Sequence, residues 1–177
     1  MENRNQSFFS EMIRFGLITL AIVVPIRFFI AEPFIVSGAS MEPNFQNGNY
    51  LIIDRISYTA IEEPKRYEVI IFKYPKNPSK YFIKRIIGLP GETVELKNKD
   101  IIIKNTDIKD GFSIDQSYIK NFSNDEGTYI LNKDEYFVMG DNRTASSDSR
   151  IWGPLPKDLI VGRVWLRLLP LGEISVF

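Results

Sequence analysis

Three short stretches hold the side chains able to do chemistry in this sequence. The first is Val36-Ser-Gly-Ala-Ser40-Met41-Glu-Pro43, where small residues leave the Ser40 hydroxyl approachable and Pro43 stiffens the exit from a turn. It can hold a reactive serine, but these residues alone favour an ordinary membrane-proximal loop. The second is Tyr81-Phe-Ile-Lys84-Arg85-Ile-Ile-Gly-Leu-Pro-Gly-Glu92, two adjacent cations within large apolar residues. Strand alternation sends Lys84 to one face with Phe82 and Ile86, and Arg85 to the other with Ile83 and Ile87. One cation therefore faces apolar surroundings. If it is Lys84, desolvation lowers its pKa from about 10.4, and the neutral amine can serve as a general base. The competing reading is an edge-strand charge pair that blunts aggregation. The third stretch runs Met139-Gly-Asp-Asn-Arg143-Thr-Ala-Ser146-Ser-Asp148-Ser-Arg150-Ile-Trp-Gly-Pro. It reads as a polar turn with Asx caps, with Asp148 and Arg150 as an ion pair and Arg85 or Arg143 as further partners. Acidic residues alternating with arginines disfavour a metal site here, and no cofactor is called for.

Composition narrows the chemistry further. The 177 residues include no histidine and no cysteine. This excludes Ser-His-Asp and Cys-His machinery, disulfides, thiolate nucleophiles and Cys/His zinc sites. An enzyme built from this chain works with Ser, Thr, Tyr, Lys or carboxylates. Lys and Arg (22) balance Asp and Glu (22), which argues against nucleic acid as a partner.

The elements that position these residues divide in two. Residues 1–12 form a polar tail, and the arginine bias around it is too weak to set topology on its own. Residues 13–31 hold an apolar run interrupted at Arg27, close to the lower length limit for crossing a hydrocarbon core of roughly 30 Å. A terminal arginine can snorkel to the interface. A cleavable signal peptide would need a better cleavage site than Ile30-Ala31-Glu32-Pro33, and a core helix would not be apolar on every face, so an uncleaved transmembrane anchor is expected. Residues 32–177 are strand-like: 49–53, 68–74, 81–87, 93–96, 100–104, 135–139 and 161–168 are β-rich runs between turn formers, with 97–99 as a hairpin turn. Residues 105–127, rich in Asp, Asn, Ser and Lys, are expected as a surface insertion. The fold class is mostly β, one catalytic-sized domain behind an anchor, with closure into a barrel or packed sheets open.

In this order, the motifs resemble those of the bacterial type I signal peptidases, membrane-bound serine proteases that remove signal peptides from exported preproteins. The likeness lies in Ser-Gly-Ala-Ser40-Met41-Glu-Pro43, Lys84-Arg85-Ile-Ile-Gly-Leu-Pro-Gly-Glu92, Gly140-Asp-Asn-Arg143 through Ser146-Ser-Asp148-Ser-Arg150, Trp152-Gly-Pro and Gly162-Arg-Val-Trp. It implies Ser40 as nucleophile, Lys84 as general base and Ser146 as the hydroxyl that orients the lysine amine. Asp148, Arg85 and Arg150 are implied as structural ion pairs. Some members carry a serine donor two residues before the nucleophile; here that position is Gly38, so the oxyanion hole falls to the backbone N–H of Ser40. The resemblance implies small substrate side chains at the first and third positions before the cut, with Phe34, Ile35, Met41 and Ile83 expected to line the pockets. Substrate would pair in extended form with a strand edge near Ile35–Gly38 or Lys80–Ile83. The implied partners are preprotein signal peptides and the lipid bilayer, with the domain on the outer side of the cytoplasmic membrane. Two other readings are a Ser-Lys protease of the self-cleaving repressor type and an anchored β-domain that binds exported segments without cutting them.

Overall fold

The computed structural model describes residues 2–25, 31–58 and 62–177. Helix α1 (Glu2–Pro25) leads the chain. Twelve strands follow: β1 (Ala31–Ile35), β2 (Tyr50–Asp54), β3 (Val69–Tyr74), β4 (Asn77–Gly88), β5 (Thr93–Asn98), β6 (Asp100–Lys104), β7 (Phe112–Ser113), β8 (Asp125–Ile130), β9 (Glu135–Met139), β10 (Leu155–Pro156), β11 (Ile160–Leu169) and β12 (Ser175–Val176), with a one-turn helix α2 (Ser149–Trp152) before β10. The seven sequence-predicted strands are all present, and Asn98, at φ +56°, turns the expected hairpin between β5 and β6.

The strands form two antiparallel sheets. The larger runs β1-β2-β11-β3-β4-β9-β10, with β12 added to β11; the smaller runs β7-β6-β5-β8. Alternation drives the outer strands: in β2, Leu51 and Ile53 are buried while their neighbours are half-buried. Central β3 is buried continuously from Val69 to Phe72, as a strand covered on both faces must be. Register shifts break β11 at Ile160/Gly162, Val164/Leu166 and Arg167/Leu169, and such bulges bend a strand and increase its twist. The larger sheet curls until the Phe34 ring of β1 meets the Tyr81 ring of β4 at 5.5 Å, although three strands separate them in the sheet. The open question of closure is thus answered by two sheets, the larger strongly curled.

Three apolar clusters fill the fold. One lies beneath the curl (Val36, Met41, Phe45, Leu51, Ile53, Val69, Ile71, Ile83, Val164), one joins the smaller sheet to β4 and β9 through Ile87, Val94, Ile101, Ile103 and Phe137, and one gathers around Ile70, Phe72, Tyr136 and Leu155.

Two expectations change. The 105–127 stretch is more than a surface insertion. It contains β7 and the start of β8, and it buries Ile114 and Ile119 at 7% and 6% exposure. At the N-terminus, the uncharged part of α1, Phe15–Pro25, rises about 16 Å at 1.5 Å per residue. Among the described residues no helix is long and apolar enough to cross a membrane. The expected anchor at 13–31 includes residues 26–30, Arg27 among them, which lie outside the described residues, and Ala31 already belongs to β1.

Candidate active site

Ser40 sits in the turn that leaves β1. Glu42 N–H donates to the Ala39 carbonyl (3.2 Å) and Phe45 N–H to the Met41 carbonyl (2.9 Å). Met41 and Phe45, both wholly buried, pin this turn to the core beneath. Ser40 is left half-buried, its carbonyl accepting from Asn142 N–H at 3.0 Å. Its own N–H has no acceptor among the described residues. Gly38 adopts φ +95°, a conformation that favours glycine, and donates its N–H to Asn47 Oδ1 at 3.0 Å.

Lys84 lies in β4 opposite Ile70 of β3 and is 4% exposed. Its Nζ donates to Ser40 Oγ and to the Ile83 carbonyl, both at 2.8 Å. Burial brings its pKa down to about 8, against the opposing pull of the Asp148 and Asp141 carboxylates, with Arg150 reinforcing the fall. The inward-facing cation is therefore the lysine.

Gly140, just past β9, is where the two serines meet. A Cβ there would stand 2.3 Å from Ser146 Oγ and 2.4 Å from the Ser40 carbonyl oxygen, so only glycine lets the two segments close up. Ser146 is 8% exposed and its hydroxyl has no hydrogen-bond partner among the described residues. This departs from the expectation that it holds the lysine amine: the protein groups satisfying Lys84 Nζ are Ser40 Oγ and the Ile83 carbonyl.

The ion pairs are also redistributed. Arg150 grips the fully buried Asp148 with Nε and Nη2, both at 2.8 Å, as the spacing suggested. Arg85 instead forms its two-pronged pair with Asp141 (2.8 and 2.6 Å) and not with Asp148, while its guanidinium lies 4.5 Å from the Tyr118 ring. Arg150 also reaches Asp125 of β8 at 2.7 Å and the Arg143 carbonyl at 2.8 Å, and Ser149 Oγ accepts from Val138 N–H at 3.0 Å. These bonds fasten residues 140–150 to both sheets. Sequence reasoning missed Asp141, Asp125 and Asn44. Asp141 stood in the quoted motif, but its choice of Arg85 depends on a contact 56 positions apart.

A cleft of about 510 Å³ opens beside the Ser40–Lys84 pair, walled by Phe34, Ile35, Leu51, Ile71, Tyr81 and Ile83. Of the residues expected at the substrate pockets, Phe34, Ile35 and Ile83 border this cleft. Met41 does not: it is 0% exposed, turned into the core under the turn. Both β1 and the exposed first half of β4 border the cleft.

A hydroxyl touching a buried amine of depressed pKa, in an apolar cleft between strand edges, is an arrangement able to support acyl transfer. The profile of the family described as "Signal peptidase, peptidase S26" matches residues 9–169. "Signal peptidase I P" of Bacillus subtilis subsp. natto is 35% identical, covering 98% of this chain and 96% of its own length. "Probable signal peptidase I-2" of Synechocystis sp. is 35% identical over 88% of this chain and 71% of its own. A signal peptidase I from Enterococcus faecalis aligns structurally with a TM-score of 0.49 and 29% identity, over 58% of this chain and 97% of that one. On the sequence matches, the chain belongs to the signal peptidase family, peptidase S26.

Proposed function

We propose that this chain is a signal peptidase I, a membrane-anchored serine endopeptidase that cleaves N-terminal signal peptides from exported preproteins with Ser40 as nucleophile and Lys84 as general base. The observation that carries this reading is the 2.8 Å contact between Ser40 Oγ and the Nζ of a lysine 4% exposed. The neutral amine takes the Ser40 proton as Oγ attacks the scissile carbonyl. The Ser40 N–H donates to the developing oxyanion, a contact worth around 3 kcal/mol of barrier. The Lys84 ammonium then protonates the leaving amine, and the regenerated amine activates water to hydrolyse the acyl-enzyme. Ser146 Oγ, buried and without a partner, is within the same cluster and is free to accept from the amine as it moves. Substrate lies extended along β1 and the Lys80–Ile83 part of β4, with small side chains against Phe34, Ile35 and Ile83.

Location follows from the same reading. The large apolar side chains of α1 from Phe8 to Val23, including Phe15, Leu17, Leu20 and Ile22, are all exposed, an arrangement that suits burial in lipid. The apolar stretch that begins at residue 13 serves as the single anchor, residues 1–12 stay cytoplasmic, and the β domain works on the outer face of the cytoplasmic membrane.

The decisive experiment incubates a labelled preprotein with wild type, Ser40→Ala and Lys84→Ala. Both variants are expected to fold, to sediment with membranes and to cut nothing; wild-type-like cleavage by either overturns the assignment. With the Lys84 pKa near 8, kcat/KM should rise through about pH 8 as the amine loses its proton. A profile flat from pH 5 to 9 speaks against a titrating base.

A further inference from the structure

The turn bearing Ser40 and the strand bearing Lys84 are joined a second time, away from the reacting atoms. Asn44, four residues after Ser40, donates its Nδ2 to Asp141 Oδ2 at 2.8 Å and to the Tyr118 carbonyl at 3.0 Å. Asp141 in turn holds Arg85, the residue next to Lys84, at 2.6–2.8 Å. With the Lys84–Ser40 contact this closes a ring: Ser40, Asn44, Asp141, Arg85, Lys84 and back to Ser40. Asn44 is fixed from its other side as well. Its carbonyl accepts from Arg167 Nη1 at 2.8 Å, and that guanidinium lies 5.8 and 5.7 Å from the Phe45 and Phe177 ring centroids. Phe177 and the Glu173 carbonyl, which accepts from Arg167 Nε at 2.9 Å, both lie beyond the 9–169 family match. An asparagine side chain suits this bridge, because one short amide nitrogen carries two hydrogens and both meet acceptors, whereas an aspartate offers none.

We infer that Asn44 is a positioning residue that holds the Ser40 turn in register with the Lys84 strand by bridging to Asp141. The inference rests on the proposed Ser40–Lys84 mechanism. Asn44 touches neither substrate nor the reacting atoms; it acts through Asp141. That carboxylate is one of three charges that act on Lys84, the others being Asp148 and Arg150. Removing the amide donor leaves Asp141 less neutralised, which favours the protonated lysine.

The test uses the full chain in detergent and a fluorogenic peptide with alanine at the first and third positions before the cut. Asn44→Ala and the isosteric Asn44→Asp, which keeps the packing, are compared with wild type, with melting curves alongside. Misalignment by even a fraction of an ångström at reacting atoms is costly, so kcat is expected to fall roughly tenfold or more in both, with KM within about twofold. The acid limb of the pH–rate profile should move up by about half a unit in Asn44→Ala and further in Asn44→Asp, where a second carboxylate is added. Unchanged kcat and an unchanged acid limb in Asn44→Asp overturn the inference. So does a loss of kcat with an unmoved limb, which a purely structural role would give. Ser40→Ala separates the two levels: cleavage by that variant sinks the mechanism itself, whereas an inactive Ser40→Ala beside wild-type-like Asn44 variants sinks the positioning role alone.

Discussion

Lys84 is where stability and reactivity pull in opposite directions. Its ammonium is buried, and desolvation outweighs the attraction of Asp148 and Asp141, leaving a folded pKa of about 8 against 10.5 for the free side chain. Between those values the unfolded chain binds more protons than the folded one, so this group's contribution to stability rises as pH climbs from about 8 to about 10.5. Below pH 8 the full penalty, about 3 kcal/mol, is present. Lys84→Met should therefore be inactive yet melt higher than wild type at pH 7, with the gain shrinking toward pH 10; calorimetry at the two pH values checks this. A lower melting temperature for Lys84→Met at pH 7 would contradict the burial argument.

At the scale of elements, the polar segment after β9 matters most, because it ties the two sheets together through Arg150. That guanidinium is the ion partner of the fully buried Asp148 and bonds Asp125 of β8. Arg150→Met strands Asp148 without its cation and should cost about 3–5 kcal/mol. Lys157→Ala, which removes an exposed pair with Glu63, should cost no more than about 1 kcal/mol. Urea unfolding of both variants measures the contrast. The strands that build this frame were legible because residues such as Leu51, Ile53, Val94 and Leu96 alternate cleanly with polar or half-buried neighbours. Of the five strands the sequence did not reveal, β7, β10 and β12 are two residues long, and the two longer ones were hidden for physical reasons. β1 continues the apolar run that precedes it, so Ala31 read as the end of an anchor. β8 begins Asp-Glu-Gly-Thr, an edge strand with solvent on one side, and its start merged with the polar stretch before it. Ser40 and Lys84 could be singled out only through the ordered set of motifs, because neither the Ser40 turn nor the alternation around Lys84 decided the matter locally. Met41 was misplaced and Asp141 overlooked because both depend on which way a turn faces, which no local pattern encodes.

Across the whole molecule, the exposed apolar surface of α1 and the cleft between β1 and β4 work together on the proposed reading. A tether confines enzyme and tethered substrate to the same surface and raises their effective concentration. Removing residues 2–25 should lower processing of a membrane-embedded preprotein by roughly 100-fold, while cleavage of a short soluble peptide changes by less than about threefold. Parallel assays on vesicles and in solution read the difference; equal losses in both would show that the helix supports the domain and not the encounter.

The glycine at position 38 has a consequence for resistance. Its φ of +95° disfavours any side chain at that point, so a serine donor there would come with backbone strain. On the proposed mechanism, oxyanion stabilisation then rests on the peptide N–H of Ser40 itself. Amides are common to every amino acid except proline, so no ordinary codon change at a neighbouring position deletes this donor. An electrophilic inhibitor designed to draw on that N–H would lean on a contact the gene cannot easily edit away, whereas one that relied on the side chains of the cleft would meet a surface free to drift.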